Sequence, residues 1–274
     1  MPRAIWSGSI SFGLVNIPVK LYNAVSRKNV SFNQIDARTK SRVRMQRVNA
    51  EGEEVPYEQI VKGYELAPDQ YVLISPEELD SLDPEATHTV DIEQFIDLSE
   101  IDPIFYDSPY YVAPVKAAEK PYVLLVRAME EQNKVAIASF VMRTKQYLAA
   151  LRPKEGKLLI STMVYADEVV PDKEIPEYDG LEDIEVSAKE LQMATQLIES
   201  LSDDFVPDQF RDEYREKVLD LIEQKAAGVE TVVATPQPVD EGRVVDLMAA
   251  LEASVQAARE ARQTPPSKKK DKSA

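Results

Sequence analysis

Residues 3–22 read RAIWSGSISFGLVNIPVKLY, and this stretch decides the fold class. Its side chains alternate: Trp6, Ile10 and Phe12 fall on one face, and serines fall on the other. The alternation resumes at Ile17 and continues to Leu21. A period of two with one polar face is typical of antiparallel strands whose sheet is covered on one side. The stretch therefore predicts two antiparallel strands with a bend between them.

The next part of the chain continues the strand pattern. Further strands are predicted at residues 71–74, 89–95, 110–115, 135–142, 146–152 and 157–165, with an extended stretch at 31–48 closed by a turn at 51–53. Short helices are predicted at Ser75-Pro76-Glu77-Glu78, which has the N-cap pattern, and from Pro121 to Glu131. About eight strands with short helices between them favour a β-barrel over a doubly wound α/β sheet. Trp6, Phe12 and Tyr22 are expected in its core, because they share faces with Ile and Val.

The last third of the chain is predicted to be helical. Ser187 and Glu190 form a capping box, and apolar residues then recur at helical spacing up to a stop at Gly228. Residues 229–243 are expected to be a linker, 244–261 a third amphipathic helix, and 262–274 a disordered tail with four lysines. The predicted domains are thus a β core over 1–186, a helical part over 187–228, and this C-terminal region.

Charge is distributed very unevenly along the chain. The total is −16, yet residues 1–50 carry +8 and residues 116–157 carry +5, while residues 51–115 and 158–230 carry −16 and −14. A chain polarised in this way can line one surface with cations while acidic blocks repel polyanions elsewhere. The negative total therefore does not exclude a nucleic-acid partner.

Composition excludes several kinds of chemistry. The chain has no cysteine, which removes disulfides, thiolate nucleophiles and cysteine-ligated metals. A lone histidine, His88, is expected in an exposed loop rather than in a metal site. Carboxylates are abundant, but no spacing selects a catalytic pair, and no cofactor motif is present. No secretory signal or membrane span is recognisable, so a cytoplasmic protein is expected. Because no catalytic pair or cofactor motif is recognisable, the protein is not expected to be an enzyme.

The strongest chemical signal is a row of cations on the predicted extended stretch. Arg38, Lys40, Arg42 and Arg44 alternate with other residues and are followed by Arg47. On a strand the first four would share one face about 7 Å apart, and such crowding favours contact with a polyanion. A solvated hairpin balanced by the acidic residues after it is the alternative.

Two further groups of cations extend this signal. Arg27-Lys28 lies in a predicted turn, and a second, weaker cluster is formed by Arg143, Lys145, Arg152, Lys154 and Lys157. From the residues alone, the chain is a polyanion-binding module without catalytic chemistry.

Several motifs resemble the bacterial Ku proteins. The longest is the opening stretch from Arg3 to Tyr22, and others are GEEVP at 52–56, KPY at 120–122, YLAALRP at 147–153 and VDLMAAL at 245–251. The resemblance extends over residues 2–260.

This resemblance implies a Ku-core β-barrel with a long bridging segment at about residues 27–71, followed by a helical C-terminal region. It implies a ring-shaped homodimer that binds double-stranded DNA ends without sequence preference and recruits the ATP-dependent ligase of non-homologous end joining, associated with the bacterial nucleoid. The bridge would carry Arg38, Lys40, Arg42, Arg44 and Arg47 to the phosphates, with Arg143 and Lys145 on the barrel beneath. Ligase contact is expected on residues 244–261, at Val244, Leu247, Met248 and Leu251.

Two other classes of function stay open at this point. A Mg²⁺-dependent nuclease would use some of the many carboxylates, and a protein-only scaffold would pair acidic with basic blocks and not bind DNA.

A salt dependence follows from the ring-shaped dimer that the resemblance implies. If the dimer places about ten cations on one duplex, its DNA affinity should fall by about 10³ or more between low and moderate salt.

Overall fold

A computed structural model describes residues 2–82, 88–143, 145–228 and 247–263. The chain divides into two compact units, Met1–Pro171 and Asp172–Ala274. The predicted linker at 229–243, Val244 and the tail from residue 264 lie outside the described residues.

The first unit contains nine described strands. They are β1 Trp6–Phe12, β2 Val15–Asn23, β3 Lys62–Ala67, β4 Gln70–Ile74, β5 Thr89–Ile96, β6 Tyr106–Pro114, β7 Val135–Met142, β8 Lys145–Lys154 and β9 Lys157–Met163. Seven of them close into a barrel in the order β1-β2-β6-β9-β8-β7-β5, and β3 and β4 form a separate hairpin. Neighbours in the barrel are antiparallel except β1 and β5, which run parallel with Ile10 opposite Val90. The predicted barrel is confirmed.

The barrel interior is filled by the apolar faces that the alternation predicts. Ile10, Ile17, Val19 and Leu21 are fully buried in one cluster with side chains from the other strands. Trp6 is also buried, and its indole Nε1 donates a hydrogen bond to the carbonyl of Val141 at 2.9 Å. The interior position expected for Phe12 is wrong: it ends β1 at the barrel mouth, and its side chain is 44% exposed. Tyr22 is half-buried.

The described residues of this unit contain two α-helices. Helix α1, Pro76–Leu82, begins at the predicted capping box, in which Ser75 Oγ accepts from the Glu78 backbone and Glu78 Oε2 accepts from the Ser75 backbone. Helix α2, Glu119–Gln132, buries Tyr122, Leu125, Val126 and Met129 against the barrel core. The Tyr122 hydroxyl donates to the carbonyl of Val112 at 2.7 Å and accepts from the amide of Leu158 at 2.8 Å. These bonds join α2 to the adjacent ends of β6 and β9.

The bridging segment, residues 27–71, lies outside both hydrophobic clusters of this unit. Apart from the β3–β4 hairpin, its pairing is confined to two isolated bridges, Ile35 with Arg42 and Val48 with Glu54. The predicted turn is confirmed, since Asn49 donates to Glu53 across it and Gly52 has a φ of +84°. The extended strand predicted over 31–48 is wrong, for the local reason given below.

The second unit contains three described α-helices, α3 Ala188–Leu201, α4 Glu213–Ala226 and α5 Leu247–Gln263, preceded by short 3₁₀ turns. The capping box that begins α3 is confirmed: Ser187 Oγ accepts from the Glu190 amide, and the Glu190 carboxylate accepts from the Ser187 amide. Helices α3 and α5 pack against each other, and Val255 of α5 is 6% exposed. Helix α4 is exposed over nearly all of its surface.

Candidate nucleic-acid interface

A tight turn organises the first cations of the bridging segment. The Asp36 carboxylate accepts hydrogen bonds from the Arg38 amide at 2.9 Å and from the Thr39 hydroxyl at 3.0 Å. The Lys40 amide donates to the Asp36 carbonyl at 2.8 Å, and Lys40 itself has a φ of +57°. The bonds to the carboxylate hold the pKa of Asp36 below its ordinary value, the Arg38 amide contributing most. The chain reverses here, so Arg38, Lys40, Arg42 and Arg44 do not alternate along one strand as predicted.

The cations of the bridging segment are nevertheless presented to solvent. The side chains of Arg38, Lys40, Arg42, Arg44 and Arg47 are all exposed. Arg38 forms a weak ion pair with Asp36 at 3.5 Å, and the Arg47 guanidinium lies over the Tyr57 ring at 5.2 Å. Asp36 is the single acid among residues 1–50. The turn therefore redistributes the cations without neutralising them.

Strand order brings a second group of cations to the end of the barrel where the bridging segment is rooted. The chain leaves β2 after Asn23, which is paired with Tyr110 of β6. It returns into β5, where Val90 is paired with Phe140 near the end of β7. The turn from β7 to β8 lies beside that return and carries Arg143 and Lys145. We call this end of the barrel the bridge rim.

The cations near the bridge rim are exposed, and Lys145 has defined neighbours. Arg143 is exposed and adopts a φ of +54° in the β7–β8 turn. The Lys145 ammonium lies 3.7 Å from the Glu168 carboxylate and 5.5 Å from the centre of the Tyr147 ring. Arg27 and Lys28 are exposed and follow Asn23 by four and five residues. The second cluster predicted from the sequence is thus divided: Arg143 and Lys145 lie at this rim, whereas Arg152, Lys154 and Lys157 lie toward the opposite end of the barrel.

The residues predicted for ligase contact are only partly accessible. Leu247 is 59% exposed at the start of α5, but Met248 and Leu251 are half-buried on the helix that packs against α3. Val244 lies outside the described residues. Of the described residues in this prediction, Leu247 presents the most surface.

Other predicted absences concern metals and membranes. Among the described residues, no three His, Cys, Asp or Glu side chains are grouped closely enough to hold a metal ion. Within the same residues no helix is both long and apolar enough to cross a membrane. His88 is exposed before β5, as expected, and its carbonyl accepts from the Ser9 amide at 2.9 Å.

Sequence reasoning missed two residues that shape the candidate interface. Asp36 controls the turn, and the run Asp36-Ala37-Arg38-Thr39 carries a recognisable signal, since aspartate side chains accept bonds from amides two residues on. Tyr57 is the platform for Arg47, and a separation of ten residues across an irregular loop offers no local signal for it.

The fold and these cations define a class of protein: a closed seven-stranded barrel with a long, cation-rich excursion between β2 and β5. The family model described as "Ku70/Ku80 beta-barrel domain" matches residues 11–193. Proteins named "Non-homologous end joining protein Ku" are also similar to this chain. The one from Anaeromyxobacter sp. (strain K) is 48% identical over 94% of this chain and 87% of its own length. The one from Archaeoglobus fulgidus is 40% identical over 93% and 99%.

A third relative, "Non-homologous end joining protein Ku 1" of Saccharopolyspora erythraea, is 45% identical over 96% of this chain and 81% of its own. The chain belongs to the Ku family. A solved SPOC domain of human PHD-finger protein 3 covers 59% of this chain at 13% identity and a TM-score of 0.29, which is too distant to bear on function.

Proposed function

We propose that this protein binds the ends of double-stranded DNA without sequence preference and acts in non-homologous end joining. The observation that carries the proposal is the bridge rim, where Arg143 and Lys145 lie beside the root of the bridging segment. All eight cations of that segment are exposed, Arg27 and Lys28 among them. The family relationship supports it, because the curated relatives are named for end joining. Association with the nucleoid would follow from DNA binding.

The exposed cations favour contact with the phosphate backbone rather than reading of bases. Lysine and arginine on a loop neutralise phosphates regardless of sequence, and release of counterions then supplies the affinity. Acidic residues outnumber basic ones in residues 51–115 and 158–230. Their negative charge would weaken DNA binding elsewhere on the surface.

We propose further that the active form is a homodimer whose two bridging segments enclose the duplex. The bridging segment leaves many large apolar side chains exposed, among them Phe32, Met45, Tyr57, Tyr64 and Leu66. Monomeric proteins rarely leave so many large apolar side chains of one segment exposed, so a second copy is the covering surface we propose. A ring of this kind would admit DNA only at an end.

Ligase recruitment is the remaining part of the proposal. The start of α5 supports a contact there, because Leu247 is open while the residues behind it pack on α3. Recruitment would then use the exposed first turn of α5 rather than the whole apolar face.

The test of DNA binding is charge reversal in the bridging segment. We expect the variant with Arg38, Lys40, Arg42 and Arg44 all changed to Glu to lose at least about 10³-fold in affinity for a linear duplex, since four phosphate contacts per chain become repulsive. A matched control changes Lys173, Lys189, Arg211 and Lys225 to Glu; these side chains are exposed in the second unit. Fluorescence anisotropy gives both affinities, and circular dichroism checks folding. Retention of wild-type affinity by the folded bridging variant would exclude this segment as the interface.

End selectivity is tested separately by comparing linear and covalently closed circular DNA of equal length. A ring that loads through ends predicts gel shifts with linear DNA and little or none with circles. Equal shifts would indicate an open basic surface, and cleavage of the linear DNA in Mg²⁺ would indicate a nuclease instead.

A further inference from the structure

A second basic feature lies at the barrel end opposite the bridge rim. A cavity of about 550 Å³ is bounded by the end of β6, the start of β9, the β8–β9 turn and the first turn of α2. Its lining includes Tyr111, Pro114, Tyr122, Lys154, Lys157 and Leu159. This volume is typical of sites for small molecules or single nucleotides rather than of surface irregularities.

The walls of the cavity are fixed by hydrogen bonds. Tyr122 is buried and held at its hydroxyl by Val112 and Leu158. The β8–β9 turn places Lys154 directly opposite Lys157. Its Gly156 amide donates to the Glu130 carboxylate of α2 at 3.1 Å. The two lysines therefore stand at the edge of a rigid cavity.

The surroundings are basic and contain an accessible aromatic ring. Lys20 of β2 is paired with Ala113, which lines the cavity, and Lys116 and Lys120 lie on the connection between Pro114 and Tyr122. Within the part of the chain that the structure describes, none of these five lysines takes part in an ion pair. Glu155, which also lines the cavity, Glu119 and Glu130 offset three of these five charges, so the surroundings keep a positive balance. The side chain of Tyr111 is 49% exposed.

We propose that this cavity binds a nucleotide of single-stranded DNA, with the base stacked on Tyr111 and the flanking phosphates contacted by Lys154 and Lys157. Aromatic platforms beside cations are the usual means of binding single strands without sequence preference. The inference rests on the proposed function in one respect: the strand is supplied by the overhang of a DNA end held at the bridge rim. An acidic peptide would satisfy the lysines but would leave the Tyr111 ring without a stacking partner.

The length of β8 sets the minimum length of a single-stranded overhang that can reach from the bridge rim to the cavity. Lys145 at the bridge rim and Lys154 at the cavity are the first and last residues of this strand. Nine extended steps separate them by about 30 Å. An overhang of two nucleotides spans only about 7 Å, whereas one of fifteen spans about 50 Å even when stacked. Only the longer overhang can occupy both places.

The experiment measures the affinity of the full chain for three duplexes with blunt ends, two-nucleotide overhangs or fifteen-nucleotide oligo-dT overhangs. We expect the long overhang to bind about tenfold more tightly than the blunt duplex, the gain of a stacked base, and the short overhang to gain nothing. The pair Lys154→Glu and Lys157→Glu, and separately Tyr111→Ala, should remove the gain while leaving blunt-end affinity unchanged. Tyr111→Phe should keep it, and the control pair Lys173→Glu and Lys189→Glu should keep it as well.

Each outcome has a distinct meaning. If wild-type protein binds no blunt duplex, the proposed function fails. If it binds blunt and long-overhang duplexes equally, the cavity is not a single-strand site and this inference alone fails. Direct binding of dTMP at millimolar concentration, together with no gain from the overhang, would assign the cavity to a free nucleotide and overturn the single-strand source. A glutamate-rich peptide that abolishes the gain while single-stranded oligo-dT does not would overturn it in favour of a protein ligand.

Discussion

Gly8 is the residue on which closure of the barrel depends most directly. A Cβ atom at this position would collide with the His88 carbonyl, which comes just before β5, and with the Trp6 ring. The neighbouring Ser9 amide donates to that same carbonyl, so β1 and β5 approach each other closely here. Since β1–β5 is the pairing that closes the barrel, only a residue without a side chain fits.

We therefore expect Gly8→Ala to lower the free energy of unfolding by about 1–3 kcal/mol, the range for overpacking a well-filled interior. Urea unfolding measures it, with Trp6 as the reporter because it is the one tryptophan in the chain. Gly63→Ala is the matched control: its added methyl group would meet Tyr71 at an ordinary 3.4 Å. A Gly8→Ala protein as stable as the control would show that β1 and β5 are less tightly apposed than described.

Tyr122 is expected to make the free energy of unfolding depend on pH in the alkaline range. Burial raises the pKa of its hydroxyl, which is hydrogen-bonded to two backbone groups. A raised folded-state pKa stabilises the protein fully below the unfolded value of about 10, and this stabilisation is lost as pH rises through the folded value.

Two results are expected for Tyr122→Phe. At neutral pH it should cost about 1–3 kcal/mol, because backbone groups of Val112 and Leu158 lose a partner. Above pH 10 the difference from wild type should shrink. Urea midpoints measured between pH 7 and 11 check both, and a difference that widens with pH would show that the ionised hydroxyl is favoured in the folded protein.

At the scale of elements, helix α5 has one position that packs on α3 and another that is exposed, and its amphipathic pattern does not distinguish the two. Val255 is buried on the helix that packs against α3, whereas the side chain of Leu247 is exposed. We expect Val255→Asp to increase hydrogen exchange of the α5 amides by at least about tenfold, because an unpaired carboxylate cannot remain in an apolar contact. Leu247→Asp, on the same helix, should leave exchange unchanged but reduce ligase stimulation. Equal exchange in the two variants would contradict the packing of α5 on α3.

The sequence predicted elements well where one local pattern dominates and poorly where partners are distant. Residues 135–142 were predicted as a strand with the bounds that β7 has, because an almost continuous apolar run is buried there over nearly its whole length. The stretch at 31–48 carries strand-like spacing too, but the hydrogen bonds of Asp36 reverse the chain. Parallel pairing of β1 with β5 joins residues eighty apart, and no local period encodes it.

The candidate site shows the same division. The cationic residues were recognisable from charge spacing, and their assembly at the bridge rim follows from strand order, which the sequence leaves open. The half-buried state of Met248 and Leu251 depends on packing with α3, a contact that an amphipathic pattern alone cannot distinguish from a docking face.

For the whole molecule, the exposed apolar side chains of the bridging segment predict self-association. We expect sedimentation equilibrium to give twice the 30.8 kDa chain mass at micromolar concentration, because covering this surface removes apolar area from water. Met45→Glu and Leu66→Glu together should shift the protein toward monomer, since both side chains are largely exposed and apolar. Exposed Leu14 at the β1–β2 turn, changed to Glu, is the control. A wild-type protein that stays monomeric would exclude the dimer.

The salt dependence of DNA affinity then tells whether both copies grip the same duplex. About ten phosphate contacts predict a slope of about −9 in a plot of log affinity against log salt concentration. Changing Arg143 and Lys145 to Gln removes two cations from each chain, so a duplex held by both copies should show a slope less steep by about 3.6. Contact with one copy predicts a change of only about 1.8. The measurement needs anisotropy titrations from 50 to 200 mM salt on a blunt duplex, where the β8–β9 cavity plays no part. An unchanged slope would remove the bridge rim from the interface, and the bridging segment would have to hold the duplex by itself.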